Sequence, residues 1–152
     1  MQIKSINNFF SFWDRDDLTV VLKKDLSIAY KDLFQKSKNI AGFLSKHKIN
    51  KNDYVPLLID DQIKFIESVI ALWYLGAIPV PLNTKLLDNE IISILDDYDF
   101  KFLITDMEAV NKFKKLNLEI IDFNNISINN IEINSFQLPA LDEEAVVIFT
   151  SG

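Results

Sequence analysis

Residues 54–86 read YVPLLIDDQIKFIESVIALWYLGAIPVPLNTKL, and this stretch predicts a strand, a helix and a second strand. Residues 55–59 form a short apolar run between polar neighbours, which is typical of a buried strand. Apolar side chains then recur at helical spacing until Gly76, where a left-handed residue can end the helix. The recurring side chains are Ile63, Ile66, Ile70 and Trp73. Residues 78–82 form the second strand, and two strands joined through a helix pair in parallel.

The start of this helix has two candidate caps, Asp60 and Asp61. A carboxylate at this position accepts hydrogen bonds from the unpaired backbone N–H groups of the first turn. Two other acid pairs also occur at predicted helix ends and turns. They are Asp96-Asp97 and Glu143-Glu144. We interpret all three pairs as solvated caps and assign no catalytic role to them.

Apolar and amphipathic segments alternate along the rest of the chain. Residues 19–22 and 26–29 predict a small hairpin, and a helical period begins at Tyr30. Residues 88–97, and a short stretch capped by Asp106, predict further helices. Additional parallel strands are predicted at residues 100–105, 118–123 and 145–149. The sequence thus predicts an α/β fold with a doubly wound, mainly parallel sheet, helices on both faces and a small N-terminal hairpin.

The last predicted strand, residues 145–149 (AVVIF), is continuously apolar rather than alternating. Such a run is typical of a strand buried on both faces, so we expect it inside the sheet with a neighbour on each side. Its exit should lie at the carboxyl edge, where open α/β sheets bind ligands. Residues 124–138 leave two interpretations open, a hairpin around Asn129-Asn130 or an irregular surface connection.

Composition argues against several classes of function. The chain has 152 residues, the size of one domain, and 49% of them are hydrophobic, which is enough for a sizeable core. The net charge of −6 argues against nucleic-acid binding, which needs a basic face. The absence of cysteine excludes disulfides and thiolate metal sites, and a single histidine, His47, argues against a histidine-based metal site or triad.

The N-terminal segment, residues 1–17, carries aromatic side chains among polar ones. We interpret it as an amphipathic segment packed on the domain edge. A membrane or partner anchor is the alternative, although the segment lacks the basic face of surface helices. Because no apolar run reaches roughly 18 residues and no signal-peptide layout is present, we expect a cytoplasmic protein without a membrane span.

Three blocks occur in a fixed order: residues 26–33 (LSIAYKDL), 71–86 (ALWYLGAIPVPLNTKL) and 145–152 (AVVIFTSG). They resemble the L-T-Y-x-E-L opening, the L-x-x-x-G-A-x-x-V-P-L-N-x-x-L segment and the start of the T-S-G-[ST]-T-G-x-P-K-G phosphate motif of the adenylate-forming superfamily. This superfamily of AMP-dependent synthetases and ligases includes acyl-CoA synthetases, aryl-CoA ligases and peptide-synthetase adenylation domains. The chain is more similar to the CoA ligases, and o-succinylbenzoate–CoA ligases of menaquinone synthesis are the subgroup that we name.

The resemblance implies a two-step activity in the parent enzyme. A small-molecule carboxylate attacks the α-phosphate of ATP to give an acyl adenylate and pyrophosphate, and the thiol of coenzyme A then displaces AMP. The implied ligands are ATP, Mg²⁺ and coenzyme A. Thr150, Ser151 and Gly152 match the start of the ATP phosphate-binding loop. No catalytic or metal-binding residue is carried over to this chain.

The sequence departs from the family pattern because it stops within the phosphate-binding motif. We therefore expect residues 18–152 to be the N-terminal α/β lobe of a longer ligase. The lobe alone should be inactive. The absent downstream subdomains imply an exposed interface, through which the lobe should self-associate.

Other functions stay open at the level of the sequence. A non-catalytic binding or interaction module could reuse the same lobe, and an amino-acid-activating adenylation domain could begin in the same way. An unrelated doubly wound nucleotide or flavin binder is a further alternative, but the chain lacks the G-x-G-x-x-G turn that would support it.

Overall fold

A four-stranded parallel sheet carries helices on both faces in the computed structural model, which describes residues 19–23, 26–107, 110–126 and 136–149. The strands are β1 (Thr19–Lys23), β2 (Leu26–Ala29), β3 (Tyr54–Leu58), β4 (Ile78–Pro81), β5 (Phe102–Thr105) and β6 (Glu119–Asp122). The helices are α1 (Tyr30–Lys46), α2 (Gln62–Tyr74), α3 (Asp88–Asp97) and α4 (Val110–Phe113), and the 3₁₀ turn Phe123–Asn125 follows β6. These elements lie within two residues of the predicted strands and of helix 88–97.

The strand order is β4-β3-β5-β6, and every neighbouring pair in this sheet is parallel. β1 and β2 form the predicted antiparallel hairpin. From β3 the chain passes through α2 to β4 on one side, and α3 then returns it to β5 on the other side of β3. The direction of winding therefore reverses between β3 and β5, which makes this seam the topological switch point.

Alternate residues of the strands face two separate cores. One core, beneath α1 and α2, contains Val55 and Leu57 of β3 together with Ile104 of β5. The other, beneath α3 and α4, contains Leu58 of β3 and Leu103 of β5. The prediction of a doubly wound sheet with helices on both faces is confirmed.

Both ends of α2 follow the chemistry of the sequence. The Asp61 carboxylate accepts the backbone N–H groups of Ile63 at 2.9 Å and Lys64 at 3.0 Å, so Asp61 is the cap. At the other end, Gly76 has φ +67°, a left-handed conformation that glycine adopts at little cost. The Gly76 carbonyl accepts the Asn52 N–H at 2.9 Å, which fixes the turn before β3 against the turn before β4.

Residues 145–149 do not form the predicted interior strand. They lie along the outer side of β4, where one backbone hydrogen bond joins the Val147 N–H to the Pro79 carbonyl at 3.1 Å. The side chains of Val146 and Ile148 are 41% and 65% exposed. The prediction of a neighbour on each side is therefore wrong.

The prolines of β4 explain why no full ladder forms at this edge. The N–H groups of Ile78 and Leu82 donate inward to carbonyls of the β3 segment. Residues 79 and 81 face outward, and both are proline, which has no N–H. The outer edge of β4 therefore offers hydrogen-bond acceptors only, so a segment beside it can form only half of the usual ladder.

Several predicted segments lie outside the described residues. These are the N-terminal segment 1–17, most of the open segment 124–138, and residues 150–152. Residues 124 and 125 belong to the 3₁₀ turn that follows β6, whereas the hairpin considered around Asn129-Asn130 lies outside the described residues. Among the described residues, no helix combines the length and apolarity that crossing a bilayer requires.

A buried carboxyl group lies between α1 and α2. Glu67 of α2 is 4% exposed, and its nearest cation is Lys36 of α1 at 3.8 Å, which is longer than a hydrogen bond. Burial raises the pKa of Glu67, and the Lys36 charge opposes this shift only in part. The folded state therefore retains the Glu67 proton to a higher pH than the unfolded chain does.

This shift predicts a pH-dependent loss of stability. The stabilising contribution of a raised pKa is complete below the unfolded-state value and is lost as pH rises through the folded-state value. Glu67→Gln should therefore match the parent near pH 4 and melt about 3 °C higher at pH 7, measured by circular dichroism. The exposed Asp142→Asn variant is the control and should follow the parent. A Glu67→Gln curve parallel to the parent curve would contradict the prediction.

Gly76 generates a second prediction, because a Cβ atom there would lie 2.3 Å from the Gln137 carbonyl oxygen. The left-handed backbone adds its own strain for any L-residue. Gly76→Ala should lower the free energy of unfolding by about 2–4 kcal/mol, measured by urea denaturation. Gly76→Asn is the matched variant: it has the same Cβ contact with the Gln137 carbonyl but tolerates the left-handed backbone better, so it too should be destabilised and the difference from Gly76→Ala measures the backbone strain. A loss below about 0.5 kcal/mol for Gly76→Ala would show that the chain shifts freely here.

Candidate functional site

Open α/β sheets bind ligands at the carboxyl edge of the sheet, at the switch point. The β3 exit, residues 59–61, and the β5 exit at Asp106 meet at this crevice. The Asp106 carboxylate accepts the backbone N–H groups of Asp60 at 3.0 Å and Asp61 at 3.1 Å. Its side chain is only 7% exposed, and the Lys64 ammonium lies 3.8 Å away.

This contact corrects the predicted role of Asp106. From the sequence, Asp106 was predicted to cap a short helix, whereas in the structure its carboxylate binds the β3–α2 turn. The position of Asp106 directly after a buried parallel strand was the available signal for a role at the sheet edge. The sequence alone does not specify which turn of the neighbouring strand its carboxylate would contact. The negative charge in this crevice is thus the carboxylate of Asp106 itself.

Other polar side chains extend this network to the remaining strand exits. The Lys64 ammonium donates to the Asn124 side-chain carbonyl at 2.7 Å, and the Asn124 amide donates to the Asp106 carbonyl at 3.0 Å. The Thr84 hydroxyl donates to the Asp60 carboxylate at 3.1 Å. The exits of β3, β4, β5 and β6 are therefore joined by hydrogen bonds.

The described part of this edge cannot hold a nucleotide phosphate by itself. Two of its backbone donors are bound to Asp106, and Asp60, Asp61 and Asp106 would repel a further anion. Within the described ranges, no group of three or more acidic, histidine or cysteine side chains is placed to hold a metal ion. A Mg²⁺ site is accordingly not formed by these residues.

The segment that leads to Thr150, Ser151 and Gly152 is anchored by side chains from three parts of the chain. The Lys51 ammonium donates to Glu143 at 2.6 Å, and the Tyr54 hydroxyl donates to Glu144 at 2.6 Å. The Trp73 indole N–H donates to the backbone carbonyl of residue 145 at 2.7 Å. Thr150, Ser151 and Gly152 lie outside the described residues, so their phosphate-binding role stays a prediction.

Two pKa shifts reflect these anchors. The hydrogen bond from Lys51, with a second one from the Ala140 N–H, lowers the pKa of Glu143. The hydrogen bond to Glu144 raises the pKa of Tyr54 above its ordinary value. Both shifts favour the protonation states that form the anchors at neutral pH.

The ring of Phe149, the last described residue, packs near residues that precede β5. Its ring centroid is 4.9 Å from that of Tyr98, which follows α3 and precedes β5. Phe149 thus packs against the apolar core beneath α3. The predicted exit at Thr150 lies outside the described residues.

A cavity of about 370 Å³ opens at the amino edge of the sheet. Its walls are residues 52–54 before and within β3, residues 98–101 before β5, and the side chains of Val80, Val147 and Phe149. This cavity is not predictable from the sequence, because its lining residues are far apart in the chain and carry no motif.

Comparison with known proteins shows the same family along the chain. The AMP-binding enzyme family matches residues 13–152. The 2-succinylbenzoate–CoA ligase of Oceanobacillus iheyensis is 29% identical over 140 residues, which are 90% of this chain and 29% of that protein.

Solved structures agree. The o-succinylbenzoate CoA synthetase of Bacillus subtilis, in complex with its acyl-adenylate intermediate OSB-AMP, is 27% identical with a TM-score of 0.75, over 88% of this chain and 36% of that chain. The N-terminal subdomain of Klebsiella oxytoca NpsA has a TM-score of 0.83 at 20% identity, over 100% of this chain and 40% of that chain, which shows the fold alone. The chain thus spans well under half of each of these proteins. Because the family match extends over nearly all of its residues, the chain belongs to the AMP-binding enzyme family.

Proposed function

We propose that this chain is the N-terminal lobe of an ATP-dependent 2-succinylbenzoate–CoA ligase. The observation that carries the proposal is the family match that runs unbroken to the AVVIFTSG segment, together with relatives that bear this name. The parent enzyme would activate a carboxylate as an acyl adenylate and transfer the acyl group to coenzyme A.

The lobe contributes a scaffold and the approach to the phosphate loop. The hydrogen-bonded exits at Asp106 hold the sheet edge, and the anchors at Lys51, Tyr54 and Trp73 hold the segment that precedes the loop. Thr150, Ser151 and Gly152 would then present backbone N–H groups and hydroxyls to the phosphates of ATP. Mg²⁺ and the carboxylate substrate would bind to residues that follow this lobe in the relatives.

The chain alone should be inactive, because its described residues form neither a phosphate site nor a metal site. Several large apolar side chains are exposed and would contact the rest of a ligase or a second copy of the lobe. They include Leu87, Phe136, Leu141, Val146 and Ile148. An amino-acid-activating enzyme is the weaker proposal, since the likeness to NpsA is one of fold.

The decisive experiment begins with the codons that follow Gly152. If these codons encode T-G-x-P-K-G, the extended protein should release AMP in the presence of ATP, coenzyme A and 2-succinylbenzoate. The chain of 152 residues should show no ATP–pyrophosphate exchange. Activity with other carboxylates only would reject the proposed substrate, and a stop codon would favour the non-catalytic module.

Ser151→Ala tests the phosphate loop in the extended protein. Loss of a hydroxyl that bonds a charged phosphate should lower kcat/KM by roughly 10- to 100-fold. Ser93→Ala removes a hydroxyl from the surface of α3 and is the matched control. Equal kcat/KM values for the two variants would argue against the assigned role of Ser151.

The scaffold role of Asp106 gives a further prediction. Asp106→Ala leaves the N–H groups of Asp60 and Asp61 without their acceptor and should lower the free energy of unfolding by about 1–2 kcal/mol. Asp106→Asn retains one acceptor and should lose less, while Asp97→Ala on the surface of α3 should stay near the parent. Urea denaturation measures all three, and an unchanged Asp106→Ala variant would contradict the role.

A further inference from the structure

The cavity at the amino edge lies on the opposite edge of the sheet from the Asp106 crevice and has no part in the proposed ligase chemistry. Its volume of about 370 Å³ falls within the range of small-molecule sites, which are typically lined by apolar and aromatic groups with a few polar ones. Its walls come from two strand approaches and from the anchored segment at Val147 and Phe149.

Four aromatic rings line this cavity, and two of them are unusually open to solvent. Tyr98 is 59% exposed and Tyr54 is 43% exposed. The Tyr98 ring lies 4.9 Å from the Phe149 ring and 6.0 Å from the Phe100 ring, measured between centroids. The faces of aromatic rings carry partial negative charge and attract cations.

The charged groups at the cavity have an excess of negative charge. The Lys101 ammonium is paired with the Asp53 carboxylate at 3.1 Å. Within the described part of the chain, the Asp99 carboxylate has neither a hydrogen bond nor an ion pair. Glu144 adds another negative charge beside Tyr54. An anion would therefore be repelled, whereas a cation would find Asp99 available.

Two turns form corners of the cavity, one before β3 and one before β5. Asn52 and Asp99, which stand at two of its corners, both have left-handed backbones, with φ +67° and +48°. Asparagine and aspartate adopt this conformation more readily than most residues. The hydrogen bond from the Asn52 N–H to the Gly76 carbonyl ties the first of these turns to the end of α2.

We propose that this cavity is a binding site for a small organic cation, an ammonium group attached to an aromatic or alkyl body. The rings of Tyr54, Tyr98, Phe100 and Phe149 take up the apolar body and the positive charge, and the Asp99 carboxylate pairs with the ammonium group. No metal-binding set of side chains lies among the described residues, so the apolar walls select an organic cation.

Three probes with the same phenyl group test the charge preference in the full chain. They are 2-phenylethylammonium, the neutral 2-phenylethanol and the anionic phenylacetate. The cation should cause saturable amide shifts in NMR spectra at residues 52–54 and 98–101, and its affinity should exceed that of phenylacetate by at least about fivefold. Added salt should reduce this preference.

Matched variants separate the rings from the carboxylate. Tyr98→Ala should weaken binding of the cation by at least about fivefold. Asp99→Asn keeps a residue that tolerates the left-handed backbone, so it should lower affinity for the cation by roughly two- to fivefold and leave 2-phenylethanol unchanged. Leu87→Ala, at the other end of α3 and equally exposed, should change nothing.

A cation preference that depends on both Tyr98 and Asp99 supports the site. Equal affinity for the three probes would mean an apolar cavity only, and would overturn the proposal. The absence of saturable shifts at the cavity, or binding that survives Tyr98→Ala unchanged, would overturn it as well.

Discussion

The seam between β3 and β5 is the constraint on which the rest of the sheet depends. All winding reverses there, yet the two strands pair over only two residue positions. Pro56 of β3 faces β5 and has no N–H to donate, which shortens the ladder. The Asp106 carboxylate closes the seam at its carboxyl end by accepting the N–H groups of Asp60 and Asp61. A side chain thus replaces backbone pairing where the backbone is deficient.

Local chemistry made most of the fold predictable. Short apolar runs located the strands, and apolar side chains that recur every 3.6 residues located the helices between them. Asp60 or Asp61 was predicted to cap α2 and Gly76 to end it, because capping and left-handed termination depend on single residues. The structure selects Asp61. The placement of helices on both faces followed from the alternation of strands and helices and from the preference for right-handed parallel crossovers. The strand order β4-β3-β5-β6 was not predicted from the sequence.

The errors arose where the partner, not the segment, decides the outcome. Residues 145–149 have the composition of an interior strand, but the available edge belongs to β4, whose outward positions are Pro79 and Pro81. The role of Asp106 depends on which turn lies across the seam. The cavity depends on residues that are distant in the sequence and meet only in the folded chain. None of these features can be predicted from the spacing of residues along the sequence. The phosphate-binding role of Thr150, Ser151 and Gly152 stays a prediction.

The proline edge of β4 also governs how copies of this lobe can meet. Exposed edge strands usually invite edge-to-edge growth into a continuous sheet between molecules. If two copies of β4 approached each other, carbonyl oxygen would face carbonyl oxygen at every outward position, and no N–H would lie between them. Pairing of one β4 edge with another is therefore excluded by the covalent structure of two residues, whatever the concentration of the protein.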